Sequence, residues 1–523
     1  MNLAFERYDV WGPKDPRHIL SLYPSTGGGT GPVSKIRQAA SNTRIAGFSG
    51  DVGSNGTDTT ANFVSAHWND TGKPIAALSS IDIGWVIDAI NESDWPDDFT
   101  VSRAYSYPFN TTLIGVQTWG GLTSKTILAG SLSNKSDKNI LSSLIPTGAK
   151  WGEHVFLTCA SGKKFPLCGI YSTALGERKE TGVGLTDKTQ SLNVGTGGTG
   201  NMYRAAALLV EDVGLRNSGA LNGDSLVQNV ADVFIASRGG SGAFGRAAEN
   251  RFPVQHMAVL GTKLLDQVIA GKFARRLDLM AASGVLYVIC DWAINDLGTY
   301  TAAQIITALN QLWTMIANKQ NVNGEFMRPV HTTISPSSTS PVDKWNTLAG
   351  QIPLANYTGS GSKRGLVNAY IRSKPAPLYD YLEVADALEP ARDDGRFNVG
   401  SAFSPYLEDP FTGTVQAGAT TTSIPTNLSS AAPGWAASAM RFTTGALASS
   451  TLVTVSSSSG STLTTAAWAS APAAGDQFTI YRFTKPTPDG LHWGLLSEGP
   501  PQWGGTFIVR DALIPQFTAY AAA

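Results

Sequence analysis

The sequence predicts an α/β fold: a parallel-sheet domain, preceded by an antiparallel β-domain and interrupted by a small inserted β module. Two observations predict it. Between about residues 202 and 395, buried-strand patterns alternate with helical patterns, as in a parallel sheet with crossover helices. Between about 31 and 200, short alternating apolar runs are separated by turn residues, which is typical of an antiparallel sandwich.

The N-terminal part divides into an arm and a β-domain. Residues 1–30 are predicted to be an arm, because prolines and a glycine run interrupt them. The β-domain is predicted over 31–200, and a glycine-rich stretch ends it. That stretch is not a phosphate loop, because no Lys-Ser/Thr pair follows at the required spacing. The candidate strands are Thr112–Gln117, Thr126–Ala129, His154–Thr158 and Gly169–Ser172.

The parallel-sheet domain is predicted over 201–396 and 485–523. Its strongest strand signal is Gly284–Cys290, a short, continuous and β-branched-rich run. Val254–Leu260 and Val330–Ile334 are further candidate strands. A helix is expected after Thr301, since apolar residues follow at helical spacing and Gln304 completes a capping box.

The stretch 397–484 interrupts this pattern. It is rich in Ser, Thr, Ala and Gly and contains only short β-prone runs. We interpret it as a small β module inserted into the parallel-sheet domain.

Composition and charge exclude several kinds of partner. Only 15% of residues are charged, the net charge is −1 and there is no basic stripe, so nucleic acid is not an expected partner. No apolar run approaches the roughly 20 residues of a membrane helix, and the first residues do not resemble a signal peptide. The cysteines show no zinc spacing. Cys159 and Cys168 flank a predicted hairpin turn, and whether they pair stays open.

The first candidate functional motif is Gly223-Asp224-Ser225. An apolar approach precedes it and apolar residues at helical spacing follow it, so the serine is expected at a strand-to-helix turn. Such a turn exposes a hydroxyl and directs backbone N–H groups at developing negative charge. By itself the triplet is also ordinary turn chemistry.

Three further motifs follow, and two of them lie at predicted strand ends. They are Gly261 after the 254–260 run, Asn295-Asp296 after the 284–290 run, and Asp489-Gly-Leu-His492 near the end of the chain. In this order and content, the four motifs resemble the sequence blocks of the SGNH (GDSL) hydrolase family.

The resemblance implies a role for each motif. Ser225 would be the nucleophile, His492 the general base and Asp489 the residue that orients the histidine. The N–H groups of Ser225 and Gly261 and the side-chain amide of Asn295 would form the oxyanion hole. No metal or cofactor is implied.

The sequence departs from the family pattern in two blocks. Ala293 stands where the third block usually has glycine, and His256 and Thr262 replace the usual asparagine and aspartate around Gly261. A rival second block lies at 237–242, around Gly240. We prefer Gly261, because the rival leaves too little chain after the nucleophile for a helix and a returning strand.

Within the family, the arrangement is similar to that of large hydrolases encoded by phages and prophages. The resemblance implies a serine esterase that removes acyl groups, O-acetyl above all, from a polysaccharide, mounted on a phage particle or otherwise cytoplasmic. Other virion proteins and further copies of the chain are possible partners. Two alternatives stay open: a virion structural or receptor-binding protein with an inactive hydrolase scaffold, and a lipase or thioesterase.

The remaining histidines and the tryptophans are predicted to be mainly structural. Trp493 is expected at the rim of the pocket because it follows His492. Trp435 and Trp468 are candidates for stacking on sugar rings, with a core role favoured. The histidines without a predicted functional role are His18, His67, His154, His256 and His331.

Overall fold

The structure is a computed structural model of the 523-residue chain. It describes residues 33–40, 53–54, 56–88, 91–170, 173–195, 201–228, 242–269, 272–341, 345, 347–399, 411–428, 435, 438–448, 450–451, 453–481, 487, 490–493 and 504–522. The predicted arm at 1–30 lies outside these residues.

The first sixteen strands pair only in antiparallel fashion within the described part of the chain. They are β1 (Lys35–Gln38), β2 (Gly53–Ser54), β3 (Thr60–Trp68), β4 (Ile75–Asp82), β5 (Trp85–Asp88), β6 (Asn91–Asp94), β7 (Phe99–Ser106), β8 (Leu113–Val116), β9 (Ser124–Ile127), β10 (Asn134–Lys135), β11 (Asn139–Ile145), β12 (Lys150–Thr158), β13 (Pro166–Ile170), β14 (Arg178–Gly182), β15 (Asn201–Met202) and β16 (Ala207–Asp212).

Two larger sheets organise this region. One has the order β1-β16-β4-β10 with β11 also on β4, and the other has the order β14-β3-β12-β7-β8 with β9 also on β7. A buried ionic cluster joins them: Arg103 on β7 donates to Asp82 on β4 at 2.6 and 2.8 Å and to Glu153 on β12 at 2.7 Å. Pairing and hydrogen bonds satisfy these charges in the interior. The β5–β6 hairpin forms a separate two-stranded sheet.

Five parallel strands form the central sheet of the second region, in the order β18-β17-β19-β20-β23. Continuous apolar runs suit these strands because helices cover both faces of a parallel sheet. The strands are β17 (Gly219–Gly223), β18 (Val254–His256), β19 (Tyr287–Asp291), β20 (Arg328–Thr332) and β23 (Asp380–Leu382).

The observed bounds correct three predicted strands. β18 ends at His256, so residues 257–260 form a loop rather than the second half of a strand. β19 begins three residues later than predicted, because Gly284 adopts a left-handed φ of +70° in the preceding turn. It continues one residue further than predicted, through Asp291. β20 is displaced towards the N-terminus by two residues.

Helices pack on both faces of this sheet. Trp313 of the helix Ala302–Ala317 (α5) lies against His331 with ring centroids 5.8 Å apart, and on the opposite face Tyr520 of the helix Gly504–Ala522 (α8) stacks on Tyr287 at 4.5 Å. The predicted Thr301–Gln304 capping box begins α5. The helices are α1 (Ser225–Gln228), α2 (Gly242–Ala248), α3 (Leu264–Ile269), α4 (Ala274–Ala282), α5 (Ala302–Ala317), α6 (Lys363–Arg372), α7 (Ala385–Leu388) and α8 (Gly504–Ala522).

A six-stranded antiparallel sheet lies within the stretch predicted as an insertion, in the order β24-β29-β26-β27-β28-β25, and we call it the third sheet because it forms the third region of the chain. A short hairpin, β21 (Ser338–Thr339) with β22 (Ile352–Pro353), precedes it in the chain. Among the described helices, none has the length and apolar character needed to cross a membrane. The strands of the third sheet are β24 (Phe411–Thr414), β25 (Ser423–Pro425), β26 (Ala439–Phe442), β27 (Val453–Ser459), β28 (Thr462–Thr465) and β29 (Gln477–Tyr481).

The apolar core around the parallel sheet extends into the antiparallel region. Ile81, Ile83 and Trp85 are each 1% exposed and belong to the same cluster as the buried side chains of β17 and β19. The third sheet instead encloses a separate cluster drawn from residues 415–480. The first region and the parallel sheet therefore share a core, whereas the third sheet has its own.

Candidate active site

The turn after β17 places Ser225 at the carboxyl edge of the parallel sheet. All five residues of β17 are buried, and Ser225, the first residue of α1, is only 5% exposed. Glycine is required at 223, because a Cβ there would lie 2.8 Å from Val227 Cγ2 and 2.9 Å from the Asp291 carbonyl oxygen. Asp224 Oδ1 accepts a hydrogen bond from the N–H of Leu226 at 3.1 Å and fixes the turn.

His492 meets this serine from the far end of the chain. Its Nε2 lies 3.0 Å from Ser225 Oγ, although 267 residues separate them. This is hydrogen-bonding distance between a hydroxyl and a potential base. Asp489, the predicted orienting residue, lies outside the described residues.

The loop before His492 is held by hydrogen bonds to residues at the start of β21. The carbonyl oxygen of Gly490 accepts from Ser337 Oγ at 2.9 Å and from the N–H of Ser338 at 3.1 Å. A Cβ on Gly490 would lie 1.7 Å from the Ser338 carbonyl oxygen and 2.7 Å from Trp345. The close approach of Gly490 to β21 thus fixes where the chain turns towards His492.

Asn295 lies beside the nucleophile turn and bonds to it. Its Nδ2 donates to Asp224 Oδ2 at 3.1 Å and to the Thr262 carbonyl oxygen at 3.2 Å. Both amide hydrogens are engaged in this conformation, so an oxyanion would have to displace one acceptor. Ala293 has a left-handed φ of +95°, which explains why a glycine suits this position.

The loop that carries Gly261 contacts the nucleophile turn and Asn295 through the next residue, Thr262. Gly261 is exposed and left-handed, with φ +73°, and a Cβ added there would meet no atom within 4 Å. Thr262 is buried; its Oγ1 donates to Val259 O at 2.9 Å and lies 3.2 Å from Gly223 O. The structure therefore links the Gly261 loop to both the nucleophile turn and Asn295. Of the rival second block, residues 237–241 lie outside the described residues, and Gly242 begins α2.

The departures from the family pattern have structural roles here. His256 Nε2 lies 2.5 Å from the Val227 carbonyl oxygen and so supports α1.

Asp296 accepts from the N–H groups of Leu264 and Leu265 at 2.9 and 3.1 Å and caps α3. Asp296 is thus a loop-fixing residue, and burial raises its pKa.

Two further carboxyl groups, those of Asp224 and Asp291, are buried near the Ser225 turn, and burial raises the pKa of both. Burial raises the pKa of Asp224 well above its usual range, and the nearby Asp291 carboxylate raises it further. Burial also raises the pKa of Asp291 to about 7, against the hydrogen bond from Thr332. Asp291 Oδ1 accepts from Thr332 Oγ1, while its buried Oδ2 has no hydrogen-bond partner among the described residues.

Several predicted residues lie elsewhere or act differently. Trp493 was expected at the pocket rim but is 4% exposed and packs against Phe244, so that prediction is wrong. Trp435 and Trp468 are buried in the core of the third sheet, which confirms the favoured core role and leaves neither side chain available as an aromatic wall. Cys290 is buried in β19, Cys159 Sγ donates to Lys163 O, and the Cys168 side chain lies outside the described part of the chain.

The described histidines other than His492 have structural surroundings. All four are at most 4% exposed, and His18 lies outside the described residues. Their contacts are His67 with Glu153, His154 with Ser106, His256 with Val227 O and His331 with Thr332 O.

The sequence did not indicate three features of the site. These are the hydrogen bond from Thr332 to Asp291, the hydrogen bonds of Thr262, and the contacts of Ser337, Ser338 and Trp345 that support the loop before His492. The identity of these residues carries no signal, because their function depends on contacts between segments distant in the chain. Asp291 directly follows the predicted 284–290 strand, and a carboxylate at the end of a buried strand is a usable signal of a functional site.

No family model matches the chain, and no curated protein matches it. The chain is similar to the solved structure of protein YxiM from Bacillus subtilis, with 11% identity, TM-score 0.24 and coverage of 66% of this chain and 74% of that chain. It is also similar to Est24, a carbohydrate acetylesterase from Sinorhizobium meliloti, with 13% identity, TM-score 0.23 and coverage of 35% and 90%. The aryl esterase of M. smegmatis gives 13% identity, TM-score 0.24 and coverage of 35% and 91%.

At these identities and TM-scores, the solved structures carry no argument about mechanism or substrate. The geometry of Ser225, His492 and Asn295 has to carry that argument. At the level of the family, the chain resembles the SGNH (GDSL) hydrolases.

Proposed function

We propose that this chain is an SGNH-type serine esterase that removes acyl groups, O-acetyl above all, from a polysaccharide. The observation that carries the proposal is the 3.0 Å approach of His492 Nε2 to Ser225 Oγ at the carboxyl edge of the parallel sheet. A serine hydroxyl is a weak nucleophile until a base takes its proton, and this distance allows that transfer.

The proposed reaction has two halves. Ser225 Oγ attacks the ester carbonyl as His492 takes its proton, and the protonated histidine then returns a proton to the departing sugar hydroxyl. Water next attacks the acyl-enzyme while His492 takes a proton from it. The tetrahedral intermediate then collapses: the bond to Ser225 Oγ breaks, His492 returns its proton to Oγ, and the acid is released. Asp489 would orient the histidine.

In each half, the tetrahedral intermediate carries negative charge on the former carbonyl oxygen. The N–H groups of Ser225 and Gly261 and the Asn295 amide are the proposed donors to it. The Asn295 amide lies ready beside the turn, and rotation away from Asp224 or Thr262 O would free one hydrogen for the oxyanion.

The substrate class is supported by features of the sequence. The chain is weakly charged, and a β module precedes the segment that carries His492. We assign the esterase to residues 201–396 and 485–523, with the β-domain at 31–200 and the inserted module at 397–484. Attachment to a phage particle belongs to the same proposal and rests on this domain arrangement.

A panel of acyl esters tests the function. Purified protein is assayed on p-nitrophenyl esters of increasing acyl length and on acetylated polysaccharides, beside Ser225→Ala. We expect turnover of acetyl esters that Ser225→Ala abolishes. Ser218→Ala is a matched control, because it removes another buried serine hydroxyl at the opposite end of β17, where Oγ donates to Gly284 O.

Other outcomes identify the alternatives. A preference for long acyl chains or thioesters would indicate a lipase or a thioesterase. Binding of a polysaccharide without hydrolysis of any ester would indicate an inactive scaffold in a receptor-binding protein.

A further inference from the structure

A carboxylate from the antiparallel region caps a helix of the parallel-sheet region. Glu92 lies on β6, and its side chain is only 5% exposed. Its two oxygens accept from the N–H groups of Arg275 and Arg276, at 2.7 and 3.1 Å, in the first turn of α4. Phe273, the residue at the N-cap of α4, makes no side-chain capping bond. The cap of α4 therefore comes from the β5–β6 hairpin.

The same carboxylate holds the side chain of Arg276. Arg276 Nε donates to Glu92 Oε1 at 3.0 Å, and the guanidinium is fully buried. The guanidinium carbon lies 5.0 Å from the ring centroid of Phe273 and 5.6 Å from that of Trp292. Burial raises the pKa of Glu92 and lowers that of Arg276, with each partner opposing the shift of the other.

Trp292 connects this ion pair to the proposed oxyanion side of the site. Its Nε1 donates to Thr262 Oγ1 at 3.0 Å. The carbonyl oxygen of Thr262 accepts from Asn295 Nδ2 at 3.2 Å, and Thr262 follows Gly261 directly. Trp292 is 1% exposed and Thr262 is fully buried, so neither can shift without moving its neighbours.

We propose that Glu92 is a positioning residue for the oxyanion hole and acts through Arg276, Trp292 and Thr262. This inference rests on the proposed function, since it takes Asn295 and Gly261 as the oxyanion donors. Without Glu92, the Arg276 charge loses its only acidic partner among the described residues, and only neutral acceptors, Gln267 Oε1 and the Lys272 carbonyl oxygen, still hold the guanidinium. We expect it to shift against the Trp292 ring. The antiparallel region thus completes the catalytic geometry of the parallel-sheet region.

The first experiment measures kcat and KM of Glu92→Gln on a small acetyl ester. The amide keeps the size of the side chain and one acceptor for the helix cap, so the fold should persist. Because displacement of catalytic groups by about 1 Å can cost up to 10²-fold, we expect kcat to fall roughly tenfold with little change in KM. Asp94→Asn is the matched control on the same hairpin: it breaks the exposed pair with Arg275, and its kcat should match the wild type.

A double-mutant cycle separates positioning from general loss of stability. Asn295→Ala alone should lower kcat by roughly 10²–10³-fold. In that background, Glu92→Gln should have a smaller effect than in the wild type, because the contact of Thr262 with the Asn295 amide has been removed and only the Gly261 side of the oxyanion hole remains. An equal effect in both backgrounds would overturn the proposal.

A second variant tests the downstream contact without touching the ion pair. Trp292→Phe keeps an aromatic ring beside Arg276 but removes the donor to Thr262, so its kcat should fall like that of Glu92→Gln. Wild-type kcat in both variants, measured on folded protein well below the unfolding temperature, would refute the inference while leaving the proposed function intact. Absence of Ser225-dependent turnover in the wild type would refute the proposed function itself.

Discussion

At the scale of single residues, the site places three buried carboxyl groups around one serine. Asp296 is satisfied by two backbone N–H groups, and Asp224 by Leu226 and Asn295. Asp291 differs, because its Oδ2 is buried without a partner among the described residues. A buried carboxylate in this position destabilises the folded state unless it takes up a proton.

Asp291→Asn should therefore change how stability depends on pH. Burial raises the pKa of Asp291 from 3.8 to about 7, so its stabilising contribution is complete below pH 4 and is lost as pH rises through 7. An asparagine does not titrate, so the variant should gain stability relative to the wild type between pH 4.5 and 8, by roughly 2–4 kcal/mol. Urea unfolding at both pH values measures this.

The control for Asp291→Asn is Asp278→Asn, which alters an exposed carboxylate paired with Lys319. The Asp291 charge interacts with the ionisable groups of Asp224 and Cys290 and raises the pKa of each. The pKa of Asp224 should therefore fall once the Asp291 charge is removed. A constant difference between variant and wild type across the pH range would contradict the assignment of a raised pKa to Asp291.

At the scale of elements, the loop that carries His492 depends on its contact with β21. Gly490 has φ +83°, and a Cβ added there would overlap the Ser338 carbonyl oxygen and the Trp345 ring. Trp345 is itself held by hydrogen bonds from Nε1 to Ser338 Oγ at 3.1 Å and from its N–H to Ser340 Oγ at 2.8 Å. No side chain larger than hydrogen fits at 490 without moving the loop.

Gly490→Ala should displace His492 from Ser225. The left-handed backbone alone costs alanine about 1–2 kcal/mol, and the clash with Ser338 O forces a shift as well. We expect activity on a small acetyl ester to fall by more than roughly tenfold. Gly361→Ala is the control, since a Cβ there meets nothing within 4 Å. Full activity in Gly490→Ala would show that the loop tolerates movement.

At the scale of the whole molecule, the antiparallel region and the parallel sheet share an apolar core, whereas the third sheet has a core of its own. The cluster formed by residues 415–480 contains Trp435, Trp468 and Phe478 and no side chain from the parallel-sheet region. The core of the parallel sheet includes Trp85 from the antiparallel region, and Arg37 on β1 pairs with Glu325 at 2.8 Å. The first region and the parallel sheet should therefore fold together.

Replacing residues 400–482 with a short Gly/Ser linker should leave activity on a small acetyl ester largely intact. The module has its own core, and both described partners of the site, Ser225 and His492, lie outside it. Activity on acetylated polysaccharide should fall if the module guides the polymer. Removing residues 1–200 is the contrasting deletion and should lower the yield of folded protein. Equal losses on both substrates in the linker variant would place the module within the catalytic unit.

The sequence by itself predicted the parallel-sheet region, several of its strands, the helix α5 and the residues that are candidates for chemistry. Local patterns suffice for this: the apolar run of β19 and the Thr301–Gln304 box depend only on neighbours in the chain. Resemblance to a family then supplied roles for Ser225 and His492, in a chain where 267 residues separate them.

The tertiary structure alone decided how these residues are held. The Glu92 cap of α4, the approach of Gly490 to Ser338 and the burial of Trp493 all join segments distant in sequence, and no local pattern encodes such contacts. The shift of the Asp291 pKa follows from burial at the end of β19, which depends on packing from several elements at once. Residue identity is local information, whereas distance, burial and electrostatic coupling exist only in the folded chain.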